Sequence, residues 1–111
     1  MDWKAELDNT NANMSGFRKE RASVADGFTS LHKAAMADGA LPRKEKELIA
    51  LSIGIARQCV DCIGFHVKAA AAAGATREEV ADAVGVCMMM GGGPSFMYGV
   101  KALEAYDQLC A

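Results

Sequence analysis

A chain of 111 residues, 51% hydrophobic and 23% charged, has the balance of one ordinary globular domain, which argues against disorder over most of its length. A net charge of −2 with Lys and Arg scattered singly argues against a nucleic-acid partner. No stretch approaches the ~18 apolar residues of a membrane span and Met1–Glu6 carries no apolar signal core, so a soluble cytoplasmic protein is expected, with no membrane partner.

The segment from Trp3 to about Arg21 is polar, with Asn9-Thr10-Asn11-Ala12-Asn13 in its middle. It reads as an N-terminal arm or marginal helix over residues 1–23, ordered by packing on something else, with Trp3 as an anchor on a neighbouring subunit. A helical core over residues 24–111 follows. Val24, Phe28, Leu31 and Ala35 recur at the spacing of one helix face, predicting a helix over 24–37 that stops at Asp38-Gly39. Pro42 suits the first turn of a helix reaching about Arg57, whose half from Leu48 to Ala56 is apolar nearly all round and therefore central. Cys59 to Ala73 forms the next helix, with Cys62, Phe65, His66, Ala69, Ala70 and Ala73 on one face, and Gly74 ends it. Thr76 with Glu79 makes a capping box for a helix whose stripe is Val80, Ala83, Val84, Cys87 and Met88. Met88 to Pro94 breaks the pattern, and a last helix runs from about Ser95 to Leu109 with Val100, Leu103 and Tyr106 or Asp107 on its face. No period-two alternation appears, so the fold class is all-α, a single-domain bundle of about six helices. Many apolar positions are Ala, Met or Gly, which bury little area each and leave room for apolar surface shared between subunits.

Four cysteines in a reducing compartment do not make a disulfide framework, and their spacing isolates Cys87 and Cys110 from the Cys59/Cys62 pair. Two cysteines three apart in the first turn of a helix can close a disulfide, and the unpaired N–H groups and dipole there favour thiolate over thiol. His66 follows Cys62 by four residues and Cys59 by seven, so it shares a face with both sulfurs and can exchange a proton at cellular pH. The three together form a plausible dithiol site. Buried apolar cysteines are one competing reading. Structural zinc is another, but it needs a fourth ligand that only Cys87 or a carboxylate could supply. Covalent haem is excluded, because Ile63 rather than His follows the second cysteine, and a thioredoxin-like site lacks its strand before Cys59. Spacing alone leaves Glu47 and Glu45 as competitors for any acidic partner. His32 reads as a surface or interface histidine, Cys87 as core and Cys110 as a frayed surface thiol. The methionine triplet and Gly91-Gly92-Gly93 read as packing material rather than a cofactor box or phosphate loop.

Glu47 followed by Cys59-Val60-Asp61-Cys62-Ile63-Gly64-Phe65-His66 resembles the Glu…Cys-x-x-Cys-x-x-x-His signature of alkyl hydroperoxidase D-like proteins, within the carboxymuconolactone decarboxylase superfamily. The resemblance continues through Met89–Pro94 and Ala102–Asp107, and so spans roughly Leu41 to Asp107. It implies a helical, homo-oligomeric protein, a trimer or hexamer, that reduces a hydroperoxide substrate with thiols and is recycled by an external dithiol or thiol protein. No cofactor or metal is implied. By position, Cys62 would attack peroxide, Cys59 would resolve, and Glu47 with His66 would relay protons. One departure is Asp61, standing where established peroxidases of the family often have His; a carboxylate there opposes thiolate formation. Two other functions compete: a decarboxylase-type lyase acting on a lactone acid, as in the superfamily's other named branch, and a non-catalytic oligomeric module with structural thiols or zinc.

Overall fold

The computed structural model describes residues 1–110, and these form six α-helices with no strand. They are α1 Trp3–Glu20, α2 Ala22–Met36, α3 Arg43–Ala56, α4 Val60–Ala72, α5 Arg77–Gly91 and α6 Gly93–Leu109. The all-α single domain expected from the sequence is what the chain adopts. No helix is long and apolar enough to cross a membrane among the described residues.

Helix α1 forms despite its polar composition because its start is well secured. Asp2 caps it by accepting from the Ala5 N–H at 3.0 Å, Glu6 sits in the first turn, and Arg18 and Lys19 sit in the last. Trp3 is fully buried, and its indole N–H donates to Glu104 Oε1 at 2.6 Å while its backbone N–H donates to Gln108. Trp3 is therefore an anchor within its own chain, on α6, rather than on a neighbouring subunit. The contact with α4 depends on Gly64: a Cβ there would stand 2.8 Å from Leu7 and 3.0 Å from the Trp3 ring. This close approach lays the first turns of α1 over the first half of α4.

Helices α3 and α4 pack closely, as do α5 and α6, and α4 packs on α6 to join the two pairs. The core lies between them, built from Trp3, Leu51, Ile55, Ile63, Val67 and Val80. The expected capping box is present: Thr76 accepts from the Glu79 N–H, and the Glu79 carboxylate accepts from the Thr76 N–H. The α5–α6 break is a single residue, Gly92, with φ of 71°, so the methionine triplet continues α5.

Two predicted faces differ from those observed. Helix α6 buries Ser95, Gly99, Ala102 and Ala105, whereas Val100 is exposed. Small residues win that face because α4 and α5 lie too near for larger ones. On α2 the apolar stripe points outward: Val24 is 63%, Phe28 71% and Leu31 64% exposed. The inward side of α2 is instead Ala25, Thr29, His32 and Met36, spaced four, three and four apart on one face, although His32 itself remains exposed.

Candidate active site

The turn between α3 and α4 builds the site. Helix α3 ends at Ala56, and Gln58 takes a left-handed conformation, with φ of 58°, that is uncommon for a residue with a Cβ. This reverses the chain at once, and the Cys59 N–H donates back to the Gly54 carbonyl at 2.9 Å. The helices nearly touch there, since a Cβ on Gly54 would lie 3.1 Å from Cys62 Cβ. Glycine in the otherwise apolar α3 lets the cysteine turn sit directly against that helix.

Cys59 is the N-cap of α4, and its sulfur accepts from the Cys62 N–H at 3.3 Å. Cys59 and Cys62 are joined as a disulfide with their Cα atoms 5.2 Å apart. Both residues are half-buried.

One turn along α4, His66 Nδ1 stands 2.8 Å from Glu47 Oε2, with the Glu47 side chain fully buried and that of His66 22% exposed. An ionised carboxylate at Glu47 only accepts, so with it Nδ1–H donates, and a ring carrying one proton then has its lone pair on Nε2. Arg43 Nη2 lies 3.5 Å from the other Glu47 oxygen, a longer contact on the solvent side. A buried carboxylate needs such partners, because without them its desolvation would cost several kcal/mol. Of the two acidic candidates on α3, Glu47 is the one that reaches His66. Glu45 leaves one carboxylate oxygen buried without a hydrogen bond.

Glu6 and His32 also approach the site, and sequence spacing placed neither of them there. Asp61, between the cysteines, has one buried oxygen with no hydrogen-bond partner, and Glu6 of α1 lies beside it. A hydrogen bond to Asp61 and repulsion from its like charge raise the Glu6 carboxyl above its ordinary value, with Thr10 working against them. Nothing in the sequence places Glu6 there, since the pairing depends on α1 docking through Trp3 and Leu7. The other is His32, read as a surface or interface histidine. Its ring stacks on that of His66 with centroids 6.2 Å apart and planes 19° from parallel. The Ala25-Thr29-His32-Met36 spacing was the available signal, hidden by the stronger apolar stripe.

The remaining thiols lie elsewhere. Cys87 is buried against the Ser52 carbonyl, in the core stripe of α5. Cys110 is half-buried at the end of α6 rather than frayed, and burial pushes its thiol up despite Lys68 nearby. Among the described residues, no three His, Cys, Asp or Glu side chains are grouped so as to hold a metal ion. An apolar groove of about 670 Å³ between α3 and α5, lined by Leu48, Ile49, Ile53, Val86 and Met90, includes none of the cysteine-pair, His66 or Glu47 side chains.

The frame that carries this geometry recurs in other proteins. An uncharacterized protein of Cupriavidus necator is 37% identical over 110 residues, covering 99% of this chain and 97% of its own length. One of Paracoccus denitrificans, from the cox locus, is 40% identical over 88 residues, covering 79% of each chain. The crystal structure of an apo carboxymuconolactone decarboxylase family protein from Legionella pneumophila superposes with a TM-score of 0.95 at 42% identity, covering 98% of this chain and 97% of that one. A Thermotoga maritima member of that family, with a suggested part in the antioxidative response, shares the fold at a TM-score of 0.82 and 23% identity, over 94% of this chain and 89% of its own. Residues 22–105, from the start of α2 to the last turns of α6, match the carboxymuconolactone decarboxylase family itself, and the chain belongs to that family.

Proposed function

We propose that the protein is a thiol-dependent peroxide reductase, or a disulfide oxidoreductase of the same mechanism, working through the Cys59–Cys62 pair. The observation that carries this reading is the buried Glu47 held to His66, one helical turn from a redox-competent cysteine pair. A purely structural pair would have no need of a buried carboxylate orienting a histidine beside it.

In the reduced protein, His66 Nε2 takes the Cys62 thiol proton while Glu47 stabilises the resulting imidazolium. The Cys62 thiolate attacks the terminal peroxide oxygen, the O–O bond breaks, and the alkoxide leaves as an alcohol on taking a proton from His66. Cys62 is then a sulfenic acid. The Cys59 thiol condenses with it, forming the S–S bond and releasing water. An external dithiol reduces that bond by exchange, becoming a disulfide itself. During exchange Cys59 is the better leaving group, because the Cys62 N–H and the positive end of α4 meet its sulfur.

The same reading takes the protein as a cytoplasmic homo-oligomer. The outward apolar stripe of α2 and exposed Ile49, Ile53, Val86, Met89 and Met90 leave large apolar side chains uncovered in the single chain, as surfaces buried between subunits do.

The deciding experiment is peroxide turnover with a dithiol reductant in wild-type and Cys62→Ser protein, with mass spectrometry after a brief peroxide pulse. Turnover that disappears in the variant, with loss of two hydrogens mapped to Cys59–Cys62 in the wild type, is the expected result. Full turnover without Cys62 would sink the mechanism. Decarboxylation of a lactone acid surviving removal of both cysteines would place the lyase reading ahead of it.

A further inference from the structure

We propose that His32 is a positioning residue of the thiol site, its imidazole fixing the plane of the His66 ring; this rests on the dithiol reading above. The hydrogen bond to Glu47 holds one edge of His66 at Nδ1 but leaves the ring free to tilt about that contact. The second torsion of a histidine side chain is broad and has no sharp staggered minimum. A flat group against the ring face removes that freedom, and His32 supplies it at 6.2 Å and 19° from parallel. This lies within the range of offset aromatic pairs.

The placement follows from how α2 is turned. His32 shares the inward side of the helix with Ala25, Thr29 and buried Met36, while Val24, Phe28 and Leu31 face away. Arg18 of α1 donates to the Thr29 hydroxyl at 2.9 Å, and the Thr29 hydroxyl in turn donates to the Ala25 carbonyl. The Arg18 contact ties this side of α2 to α1, at the rotation where His32 lies toward α4. The ring is itself exposed, so burial does not explain why it lies on His66. With an edge held by Glu47 and a face held by His32, the lone pair on Nε2 keeps one direction, as proton transfer from a thiol requires.

The test uses reduced full-length protein in a Cys59→Ser background, so that Cys62 is the one site thiol, and follows iodoacetamide labelling of Cys62 by mass spectrometry. His32→Ala is expected to slow labelling about two- to tenfold, the range that an aromatic contact of this kind supports. His32→Phe, which keeps a flat ring and loses the nitrogens, is expected to restore the rate to within about twofold of the parent. Unchanged labelling in His32→Ala overturns the proposal, and so does a Phe variant as slow as the Ala one. A nuclear Overhauser contact between the two imidazole rings in the wild type is also expected, and its absence overturns the stack directly. Labelling needs no peroxide. A wild type that ignores peroxide but shows the His32 dependence would therefore refute the reductase reading and leave this one standing.

Discussion

The α3–α4 pair and the α2 helix carry similar apolar patterns and meet opposite fates within one chain. In α3 and α4 the apolar residues Leu51, Ile55, Ile63 and Val67 are fully buried, and the turn between them presents the cysteines. In α2 the apolar stripe is exposed, and a row of smaller and more polar residues turns inward. A helical period in the sequence therefore reports that a face is to be covered, not which surface covers it. For Leu51, Ile55, Ile63 and Val67 the cover is the rest of the chain, while Ile49 and Ile53 on the far side of α3 stay exposed. The chain does not cover the α2 stripe, and the side left facing the protein was free to bring a histidine to the site.

The largest effect expected on the buried side of this contrast is at Glu47. Glu47→Gln keeps the shape but removes the charge that stabilises protonated His66, so peroxide turnover should fall about 10²- to 10⁴-fold, the usual span for a general acid–base partner. Steady-state kinetics with the folded variant checks this. A variant within a few fold of wild type would mean that the Glu47–His66 contact is only a satisfied buried pair.

Next come two truncations that set the regions against each other. Ile55→Ala empties fully buried volume and should cost about 2–5 kcal/mol in denaturant unfolding. Phe28→Ala removes a larger side chain, yet within a single chain it should change stability by no more than about 0.5 kcal/mol, because the ring is 71% exposed. If a second copy covers the stripe, as proposed, Phe28→Glu should also lower the mass measured by light scattering while the helical circular dichroism is kept. Equal losses for the two alanine variants at a concentration where the protein is monomeric would erase the distinction between the two faces.

The parts of this protein legible in its sequence are those set by local chemistry. The Thr76/Glu79 capping box and the Gly74 stop each depend on residues within a few positions, and each lies where the pattern puts it, whereas the apolar run of α3, expected to be central all round, buries Leu51 and Ile55 but leaves Ile49 and Ile53 exposed. The placement of His66 on the cysteine helix is equally local, since spacing along one helix is enough to fix it. The choice of Glu47 over Glu45 is different in kind. It depends on the sharp reversal at Gln58 and on the helix contact through Gly54, which set the register of α3 against α4. Glu6 lies further still from anything local, because it reaches Asp61 only after α1 has docked by Trp3 and Leu7 against Gly64. The buried face of α6 went to small residues for a similar reason: how near two helices come is decided by both, and one strand of sequence shows a single side of the contact.

The smallest expected effect probes that last docking, and its sign follows from protonation. The folded protein raises the Glu6 carboxyl above its ordinary value of 4.5, chiefly through the hydrogen bond with Asp61 and their mutual repulsion. A raised acid binds its proton more tightly in the folded than in the unfolded state. Stability therefore declines as pH rises from about 4.5 through the folded value, and the full penalty is present at neutral pH. Glu6→Gln removes the like charge beside Asp61 and offers it an amide N–H, so the variant should melt slightly above wild type at neutral pH. The advantage should shrink when both are melted below the ordinary carboxyl range, where Glu6 is protonated in either state. Because Glu6 is only partly buried, the difference is expected to be small and to narrow further with added salt. Melting curves at the two pH values and two salt concentrations measure it. A constant advantage across pH would point to a packing gain from the amide, and a loss at neutral pH would mean that Glu6 and Asp61 do not repel each other across the α1–α4 contact.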